Sequence, residues 1–283
     1  MFFVKFFNNN QSGMKQEKAM EESKIPVRLV DCHAHLEELE APEAAIERAG
    51  RSGVVFIVGV GMDEESNRRI LSLSGHYSEV TVLPALGIHP WSLKERNLEG
   101  SLEFIKNNIG KAVAVGEVGL DFWLKEARKD ASHRRRQEEI FRRLLSLGRE
   151  FSKPVIIHAR GAWEECLRLA VEERVNQAVF HWFSGPLEVL RKALDHGYLI
   201  SATPAARYSE KHQSAIREAP LGKILLETDC PVTYEGRTSE PADVVRTLQA
   251  VAAIKQISEA EVAKVTTENA IRFFGLSGER PGG

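Results

Sequence analysis

Six side chains of the types that bind divalent metals follow short apolar runs in this sequence. They are His33, His35, Glu117, His158, His181 and Asp229. Neutral imidazole and carboxylate suit Zn, Mn, Mg and similar divalent ions. Such an ion lowers the pKa of bound water by several units, to about 7, and so supplies hydroxide at neutral pH. The six residues therefore predict a hydrolase that uses one or two divalent metal ions.

The spacing of two of these residues strengthens the metal interpretation. His33 and His35 are two positions apart at the end of an apolar run. Residues i and i+2 of a strand point to the same side, so both imidazoles can face one ion. Glu117 ends a run in the middle of the chain, and a carboxylate there could bridge two ions roughly 3.5–4 Å apart.

Eight short apolar runs, which alternate with longer helical patterns, must position these residues. The runs are Val27–Cys32, Val54–Val60, Val80–Leu86, Ala112–Val118, Pro154–His158, Ala178–Phe183, Gly197–Ser201 and Lys223–Glu227. Most are nearly continuous in Val, Ile and Leu, which is typical of parallel strands that are covered on both faces.

Helical patterns separate the runs. Residues Ser132–Ser152 carry an apolar stripe, Asp63 precedes two glutamates as a helix cap would, and two helices are predicted at Pro241–Lys255 and Ser258–Phe274. Eight strands alternating with helices predict an α/β protein with a (β/α)8 barrel, and a doubly wound open sheet is the alternative. In a barrel the C-terminal strand ends open on one face, so the six side chains would meet there.

Each candidate also has an ordinary structural interpretation. A histidine at a strand end is more often a hydrogen-bonded residue than a ligand, and Glu117 could pair with an arginine. The segment Asp229-Cys230-Pro231 fits a turn. Burying all six ionisable groups together without a metal would be costly, however. Taken as a set, the residues favour a metal centre.

Composition limits the function classes. The net charge of −2 excludes a strongly basic nucleic-acid coat protein, so a nucleic-acid substrate must be held by a local patch or by bound cations. Three cysteines without a CxxC motif argue against a disulfide framework and for a reducing compartment, the cytoplasm. No apolar stretch approaches the ~20 residues of a membrane span, and we expect no membrane partner.

The chain is expected to form one domain after a short extension. Residues 27–283 form the predicted barrel. Residues 1–26 are polar after their first seven positions, and they are interpreted as a disordered extension or as sequence upstream of a true start at Met14 or Met20.

Five segments around the candidate ligands resemble the signatures of TatD-type metal-dependent deoxyribonucleases, within the amidohydrolase superfamily. They are Asp31-Cys32-His33-Ala34-His35, Gly87-Ile88-His89-Pro90, Gly116-Glu117-Val118-Gly119-Leu120-Asp121, Pro154-Val155-Ile156-Ile157-His158-Ala159-Arg160 and Glu227-Thr228-Asp229-Cys230-Pro231. The resemblance extends from about residue 28 to about residue 276. It implies a barrel, a centre of one or two metals and a DNA substrate, cut from the 3′ end.

The resemblance also implies a role for each ligand. His33 and His35 would bind one ion, and His158 and His181 a second. Glu117 would bridge the two ions. Asp229 would bind the first ion and act as the general base.

Three further residues are candidates for substrate binding because a phosphodiester transition state needs cationic or donor groups. They are His89, Arg160 and Arg207. Arg160 can grip a phosphate bidentately, although a structural salt bridge is an equal alternative. Trp91, Trp123 and Trp182 lie just past strand ends and could stack bases or pack the rim. The run His133-Arg134-Arg135-Arg136 could touch a nucleic-acid backbone or be a solvated helix face, and His76, His196 and His212 are interpreted as surface residues.

The chain departs from the family pattern around the predicted mouth. The family's His-Cys-Phe-x-Gly is His181-Trp182-Phe183-Ser184-Gly185 here, Ser201–Arg207 replaces a glycine-rich turn with a lysine, and Glu240 replaces an asparagine. These changes motivate a second hypothesis, a carboxyl-ester or amide hydrolase such as a D-aminoacyl-tRNA deacylase. A non-catalytic barrel that serves as a binding module is the third.

Two other chemistries are disfavoured by the residues. Gly59-Val60-Gly61 lacks the third glycine of a dinucleotide fingerprint, because Glu64 occupies that position. We therefore expect no nucleotide cofactor. A nucleophile at Cys32 or Cys230 would need an orienting base, and the nearby histidines are better explained as ligands.

Overall fold

A computed structural model describes residues 28–93 and 97–276 of the chain. The predicted N-terminal extension, residues 1–26 with the alternative starts at Met14 and Met20, lies outside the described residues.

The eight predicted runs form a parallel barrel. Its strands are β1 (Leu29–Ala34), β2 (Val54–Val60), β3 (Thr81–Leu86), β4 (Ala114–Asp121), β5 (Val155–Arg160), β6 (Ala178–Phe180), β7 (Leu199–Ala202) and β8 (Ile224–Leu226). Each strand pairs in parallel with the next along the chain. A parallel bridge between Ala34 and Cys230 brings the segment after β8 back to β1. The predicted (β/α)8 barrel is confirmed, and the open-sheet alternative is wrong.

Within residues 28–93 and 97–276, ten α-helices connect or follow the strands. They are α1 (Pro42–Arg51), α2 (Glu64–Leu73), α3 (Leu98–Asn108), α4 (Lys125–Lys129), α5 (Ala131–Glu150), α6 (Trp163–Glu172), α7 (Leu187–Asp195), α8 (Glu210–Glu218), α9 (Val244–Lys255) and α10 (Glu259–Phe274). A two-residue strand, Gly75–His76, pairs antiparallel with β3, and Thr233–Tyr234 pairs with Arg237–Thr238 in a hairpin after β8.

The boundaries differ from prediction where polar residues take over from apolar ones. The predicted strand Ala178–Phe183 ends at Phe180, because the chain turns at His181 to leave the sheet. The predicted helix Pro241–Lys255 begins with a separate 3-10 turn, Pro241–Asp243. The predicted cap at Asp63 is confirmed: its carboxylate accepts a hydrogen bond from Ser66 N at 2.7 Å and caps α2.

The barrel interior is filled by alternate side chains of the strands. Val30 and Cys32 of β1 belong to a buried cluster with residues of most other strands, and Phe273 and Phe274 of α10 complete it. A larger cluster packs the other strand faces against the helices. The ends of the strands are thus held by packing on both sides, which fixes the side chains that follow them. In the described part of the chain, no helix combines the length and the apolarity that crossing a membrane requires.

Candidate metal centre

The structure brings all six predicted ligands together at the C-terminal ends of the strands. His33 lies in β1, Glu117 in β4 and His158 in β5; His35 and His181 follow directly after β1 and β6, and Asp229 is the third residue after β8. Every one of the six is buried, with at most 8% of its surface exposed. Backbone hydrogen bonds set their positions across strands: Asp229 N donates to His33 O at 2.9 Å, and His181 N donates to Ile157 O at 3.1 Å.

Four donor atoms form a first compact group, the first pocket: Nε2 of His33, Nε2 of His35, Oε2 of Glu117 and Oδ1 of Asp229. The two imidazole nitrogens are 3.3 Å apart. His33 Nε2 lies 3.4 Å from each of the two carboxylate oxygens. His35 Nε2 lies 3.5 Å from the same two oxygens.

These separations match the size of a small divalent ion. A tetrahedral ion with bonds of about 2.0–2.1 Å needs donors separated by ~1.63 times the bond length, about 3.3–3.4 Å. The five separations given above range from 3.3 to 3.5 Å. Two neutral imidazoles and two carboxylates are also the donor set that such ions take in proteins. The residues therefore fit a divalent metal.

A second pocket uses the other oxygen of the same glutamate. Oε1 of Glu117 lies 2.8 Å from Nδ1 of His158 and 2.8 Å from Nε2 of His181. These two nitrogens are 3.4 Å apart. Glu117 thus directs one carboxylate oxygen to each pocket. Its ion-pair partners in the described structure are histidines, and the alternative of an arginine partner for Glu117 is wrong.

His89 lies inside the centre rather than on its rim. Its side chain is 2% exposed, and Nε2 is 3.6 Å from Glu117 Oε1. Its Nδ1 accepts a hydrogen bond from Trp91 N at 3.1 Å, so Nε2 is free to carry the proton. Burial lowers the pKa of His89 to about 4, which keeps the ring neutral near pH 7. His89 can therefore offer a neutral N–H to the second pocket.

Other buried carboxylates stand behind the predicted ligands. Oε1 of Glu227 lies 3.3 Å from His181 Nδ1 and accepts a hydrogen bond from Trp182 N. Oδ2 of Asp121 lies 3.5 Å from His158 Nε2. Carboxylates in such places fix the orientation of a metal-binding imidazole. The sequence interpretation gave no role to Asp121 or Glu227, although both occur at strand ends within the quoted motifs.

Two further carboxylates are close to the first pocket. Asp31 accepts hydrogen bonds from N and Oγ1 of Thr228 at 2.9 and 2.6 Å, which ties β1 to the segment that carries Asp229. Glu37 is buried, and Oε1 lies 3.8 Å from His35 Nδ1. Neither oxygen of Glu37 has a hydrogen-bond partner, and neither does Nδ1 of His35.

The imidazoles and carboxylates shift one another's protonation. Burial lowers the pKa of His35 and of His181, but the facing carboxylates, Glu117 above all for His181, outweigh this and raise both pKa values well above the ordinary range. Burial acts to raise the pKa of Glu117, and the surrounding histidines bring it well below its ordinary value. Without an ion His35 and His181 therefore balance the carboxylate charge as imidazolium, and a bound cation would replace those protons.

Backbone conformation supports a functional role for the segment after β8. Asp229 adopts φ = 52° and Trp182, next to His181, adopts φ = 43°. Residues other than glycine rarely occupy this left-handed region, and such strain concentrates at functional sites. At Asp229 this conformation accompanies a carboxylate oxygen aimed at the first pocket.

The other two residues predicted to bind substrate, Arg160 and Arg207, lie on the rim of the barrel mouth. The Arg160 guanidinium is 5.1 Å from the centre of the Trp123 ring, and Nη1 is 4.0 Å from Asp121 Oδ2. Arg207 pairs with Glu235, whose Oε2 lies 3.0 Å from Arg207 Nε. The structure therefore places Arg160 beside the second pocket and Arg207 in an ion pair with the hairpin.

Several other sequence interpretations can be compared with the structure. Trp91 and Trp123 are exposed, whereas the Trp182 ring is 5.6 Å from that of Tyr234. The interpretation of His212 as a surface residue is wrong: its Nδ1 lies 2.7 Å from Phe183 O and its Nε2 accepts from Thr203 N, which joins the ends of β6 and β7.

The departure at Glu240 also has a structural explanation. Its carboxylate binds the Arg48 guanidinium through both Nε and Nη2, at 2.8 and 2.5 Å to Oε2. This ion pair joins the 3-10 turn before α9 to α1.

Comparison with known proteins agrees with the fold and shows the family. The profile of the TatD related DNase family matches residues 30–275. Human deoxyribonuclease TATDN3 is 31% identical over 265 residues, 88% of this chain and 95% of the human protein. YabD of Bacillus subtilis, described as an uncharacterized metal-dependent hydrolase, is 32% identical over 262 residues, which are 88% of this chain and 100% of YabD. The crystal structure of YJJV, a TatD homologue from Escherichia coli, has a TM-score of 0.81 at 26% identity and covers 89% of this chain and 100% of its own. The chain therefore belongs to the TatD-related DNase family of metal-dependent hydrolases.

Proposed function

We propose that this protein is a divalent-metal-dependent deoxyribonuclease that hydrolyses phosphodiester bonds. The observation that carries the proposal is the division of Glu117 between two pockets, each completed by buried histidines. Two adjacent cation sites of this kind suit the in-line displacement at a phosphodiester. The relative TATDN3 is named a deoxyribonuclease.

The ligand assignment is part of this proposal. The first pocket would use Nε2 of His33 and His35 with Oδ1 of Asp229. The second would use Nδ1 of His158 and Nε2 of His181, and Glu117 would serve both. Metal analysis of the active protein would identify the ion and show whether one or both pockets are filled.

The protein's own groups would divide the chemistry as follows. A divalent ion held here acidifies water and polarises a phosphoryl oxygen. Asp229 would accept the proton of the attacking water, because its carboxylate borders the first pocket. Burial acts to raise the pKa of Asp229, but the nearby histidines outweigh this and bring the pKa below its ordinary value, so the carboxylate stays ionised. His89 would donate a hydrogen bond from Nε2, and Arg160 would hold the phosphate charge at the rim. Arg207 would join only after leaving Glu235.

The direct test is cleavage of a 5′-labelled single-stranded oligonucleotide with Mg, Mn or Zn. Wild type and Asp229→Asn would be compared with and without chelator. A product ladder that requires both the metal and Asp229 would support the nuclease and reveal whether cutting starts from the 3′ end. Intact DNA with every metal, from protein that demonstrably holds metal, would contradict the proposal.

A second candidate is an ester or amide hydrolase that uses the same centre. It is favoured by the rim after β7, where Pro204–Arg207 forms a 3-10 turn and Arg207 is engaged by Glu235 rather than directed at a phosphate. A panel of carboxyl esters, including a D-aminoacyl-tRNA, separates this candidate from the nuclease.

A non-catalytic binding module is the third candidate. A ligand that binds only the native state adds about 2.7 kcal/mol at one hundred times its dissociation constant. If Zn, Mn and Mg neither bind nor raise the melting temperature, the module gains support.

We also propose a reducing compartment, such as the cytoplasm, because Cys32, Cys166 and Cys230 are buried and unpaired.

A further inference from the structure

Two exposed tryptophans at the barrel mouth are anchored to one buried carboxylate. Asp121 accepts a hydrogen bond from Trp91 Nε1 at 2.7 Å through Oδ2, and one from Trp123 N at 2.9 Å through Oδ1. Trp91 is 52% exposed and Trp123 is 54% exposed, whereas Asp121 is fully buried. Asp121 therefore holds the indole of Trp91 and the backbone of Trp123, although about half of each residue faces solvent.

This pair of indoles borders the second pocket. The Trp91 ring centre is 6.2 Å from that of His158, and Asp121 Oδ2 is 3.5 Å from His158 Nε2. The Arg160 guanidinium lies over the Trp123 ring at 5.1 Å. We call Trp91, Trp123 and Arg160 the tryptophan shelf.

The backbone beside the shelf is shaped around Trp123. A Cβ atom at Gly161 would lie 2.3 Å from Cδ1 of the Trp123 ring, and Gly161 has φ = 71°. Only glycine allows this approach without strain. Trp123 is thus packed against the Gly161 backbone while 54% of its surface stays exposed, which suits a stacking platform better than a loosely exposed side chain would.

A basic segment continues from the shelf. Residues 125–136 hold six arginines and lysines and two acids, so their net charge is 6 − 2 = +4, against −2 for the whole chain. The rest of the chain therefore carries −2 − 4 = −6. The segment follows β4, which places it on the same face as the metal centre. Arg134 packs over the Phe122 ring and donates to Ala127 O, whereas Lys125, Arg128, Lys129, Arg135 and Arg136 are exposed.

We propose that the tryptophan shelf and the basic segment form the surface that binds the nucleic-acid strand next to the cleaved bond. This rests on the proposed nuclease function and names the residues that hold its substrate. Fixed, half-exposed aromatic rings accept unstacked bases, and neighbouring cations follow a phosphate backbone. A duplex hides its base faces, so the surface selects a single strand.

The first test measures binding without cleavage. Full-length Asp229→Asn protein is titrated with fluorescein-labelled oligothymidylate of about 12 nucleotides, within the usual footprint of such grooves. Anisotropy reports binding, and tryptophan fluorescence reports stacking. Trp123→Ala should weaken binding roughly five- to hundred-fold, since one stacked base contributes that much. The pair Arg128→Glu and Lys129→Glu should weaken binding and reduce the slope of log affinity against log salt by roughly 0.7 for each phosphate that these side chains neutralise in the wild type.

Matched controls lie on other parts of the surface. Phe151 at the end of α5 is an exposed aromatic residue, and Arg51 and Lys264 are exposed cations on α1 and α10. Phe151→Ala, and the pair Arg51→Glu with Lys264→Glu, should leave binding unchanged within about two-fold, because a distant charge is largely screened at physiological salt. If the controls weaken binding as much as the shelf variants, or if a blunt duplex of the same length binds as tightly, the proposal is overturned.

A small substrate separates this proposal from the function on which it rests. Bis(4-nitrophenyl) phosphate reports the metal centre without needing a strand surface. Trp123→Ala, and the pair Arg128→Glu with Lys129→Glu, built on the active protein, should hydrolyse it like wild type while KM for the oligonucleotide rises. Equal oligonucleotide binding and KM in all variants, with normal hydrolysis of the diester, would reject the surface but keep the nuclease. If metal-loaded wild type hydrolysed neither the diester nor the oligonucleotide, the nuclease would be rejected. The binding titration would still decide whether the shelf binds a strand.

Discussion

The indole Nε1 of Trp91 donates a hydrogen bond to Asp121 Oδ2 at 2.7 Å. The same oxygen lies 3.5 Å from Nε2 of His158, whose other nitrogen faces Glu117. The buried carboxylate of Asp121 thus connects the exposed Trp91 ring to His158, a candidate metal ligand. Burial acts to raise the pKa of Asp121, but hydrogen bonds from His158 and Trp91 lower it to about 2, so the carboxylate is ionised at every working pH.

Replacing Asp121 with asparagine should therefore destabilise the fold and loosen the shelf. The amide cannot accept hydrogen bonds at both of its ends, and hydrogen bonds to a charged group contribute about 1.5–3 kcal/mol. We expect Asp121→Asn to lower the free energy of unfolding by an amount of that order and to change the tryptophan emission. Urea unfolding in the presence of chelator measures it. Glu138→Gln, which removes a 3.7 Å ion pair with Arg168, should cost under about 0.5 kcal/mol; equal losses would refute the special role of Asp121.

Metal content should distinguish the two pockets. His35→Ala should remove the first ion and leave the second, and His158→Ala should do the reverse, because each contributes to one pocket. Glu117→Gln should weaken both. Metal analysis after dialysis, with calorimetric titration, gives the stoichiometry of each variant. A Glu117→Gln protein that loses only one of two ions would show that the carboxylate does not bridge.

The sequence was sufficient for the barrel and for the convergence of the six candidates. Near-continuous apolar runs mark buried parallel strands, and five of the runs carry a candidate ligand at or near their C-terminal ends, as Pro154–His158 does. In a barrel those ends meet, so the meeting of these residues follows from topology. No contact between individual side chains had to be known.

The sequence alone could not predict which side chains contact one another across loops. His212 has the polarity of a surface residue, and only the fold shows that it joins Phe183 to Thr203. Asp121 is one carboxylate among many until Trp91, 30 positions away, is seen to donate to it. The pairing of Arg207 with Glu235 likewise depends on the hairpin after β8, whose two-residue strands leave little periodicity to detect.

Metal affinity should rise with pH because the ion replaces protons. The raised pKa values of His35, His158 and His181 mean that these rings hold protons in the metal-free protein near neutral pH. Affinity for Zn or Mn should therefore increase between about pH 6 and pH 9, with proton release on binding. Calorimetry in buffers of different ionisation enthalpy counts those protons. Binding without proton release at pH 7 would contradict the raised pKa values.

The same shifts predict opposite stability profiles with and without metal. A histidine with a raised folded pKa contributes stability that is complete below its unfolded pKa of about 6.5 and is lost as pH rises through the folded value. The metal-free protein should lose melting temperature from about pH 6.5 upwards, and the metal-loaded protein should not. His89 and His212, whose pKa values are lowered, are neutral in both folded and unfolded states above that pH and do not alter this arm. Parallel profiles for the two forms would exclude the mechanism.

Glu37 should support the first pocket from behind His35. When Nε2 of a histidine binds a metal, a carboxylate at the opposite N–H orients the ring and makes it a more basic ligand, and mutation of that carboxylate typically costs roughly 10- to 100-fold in metal affinity. Oε1 of Glu37 lies 3.8 Å from His35 Nδ1, and neither group has another hydrogen-bond partner. We expect Glu37→Gln to weaken the first ion by about that factor and to spare the second, as measured by chelator competition.

A purely structural role for Glu37 would give a different result. Neither oxygen of Glu37 accepts a hydrogen bond that the substitution would remove, so Glu37→Gln should change the stability of the metal-free protein little while it weakens metal binding. Glu38→Gln, an exposed neighbour in the same turn, serves as the control and should change neither property. A Glu37→Gln protein that unfolds more easily without metal but binds it normally would assign the carboxylate to the fold. Lost affinity with retained stability would instead show that this buried carboxylate supports the cation site rather than the metal-free fold.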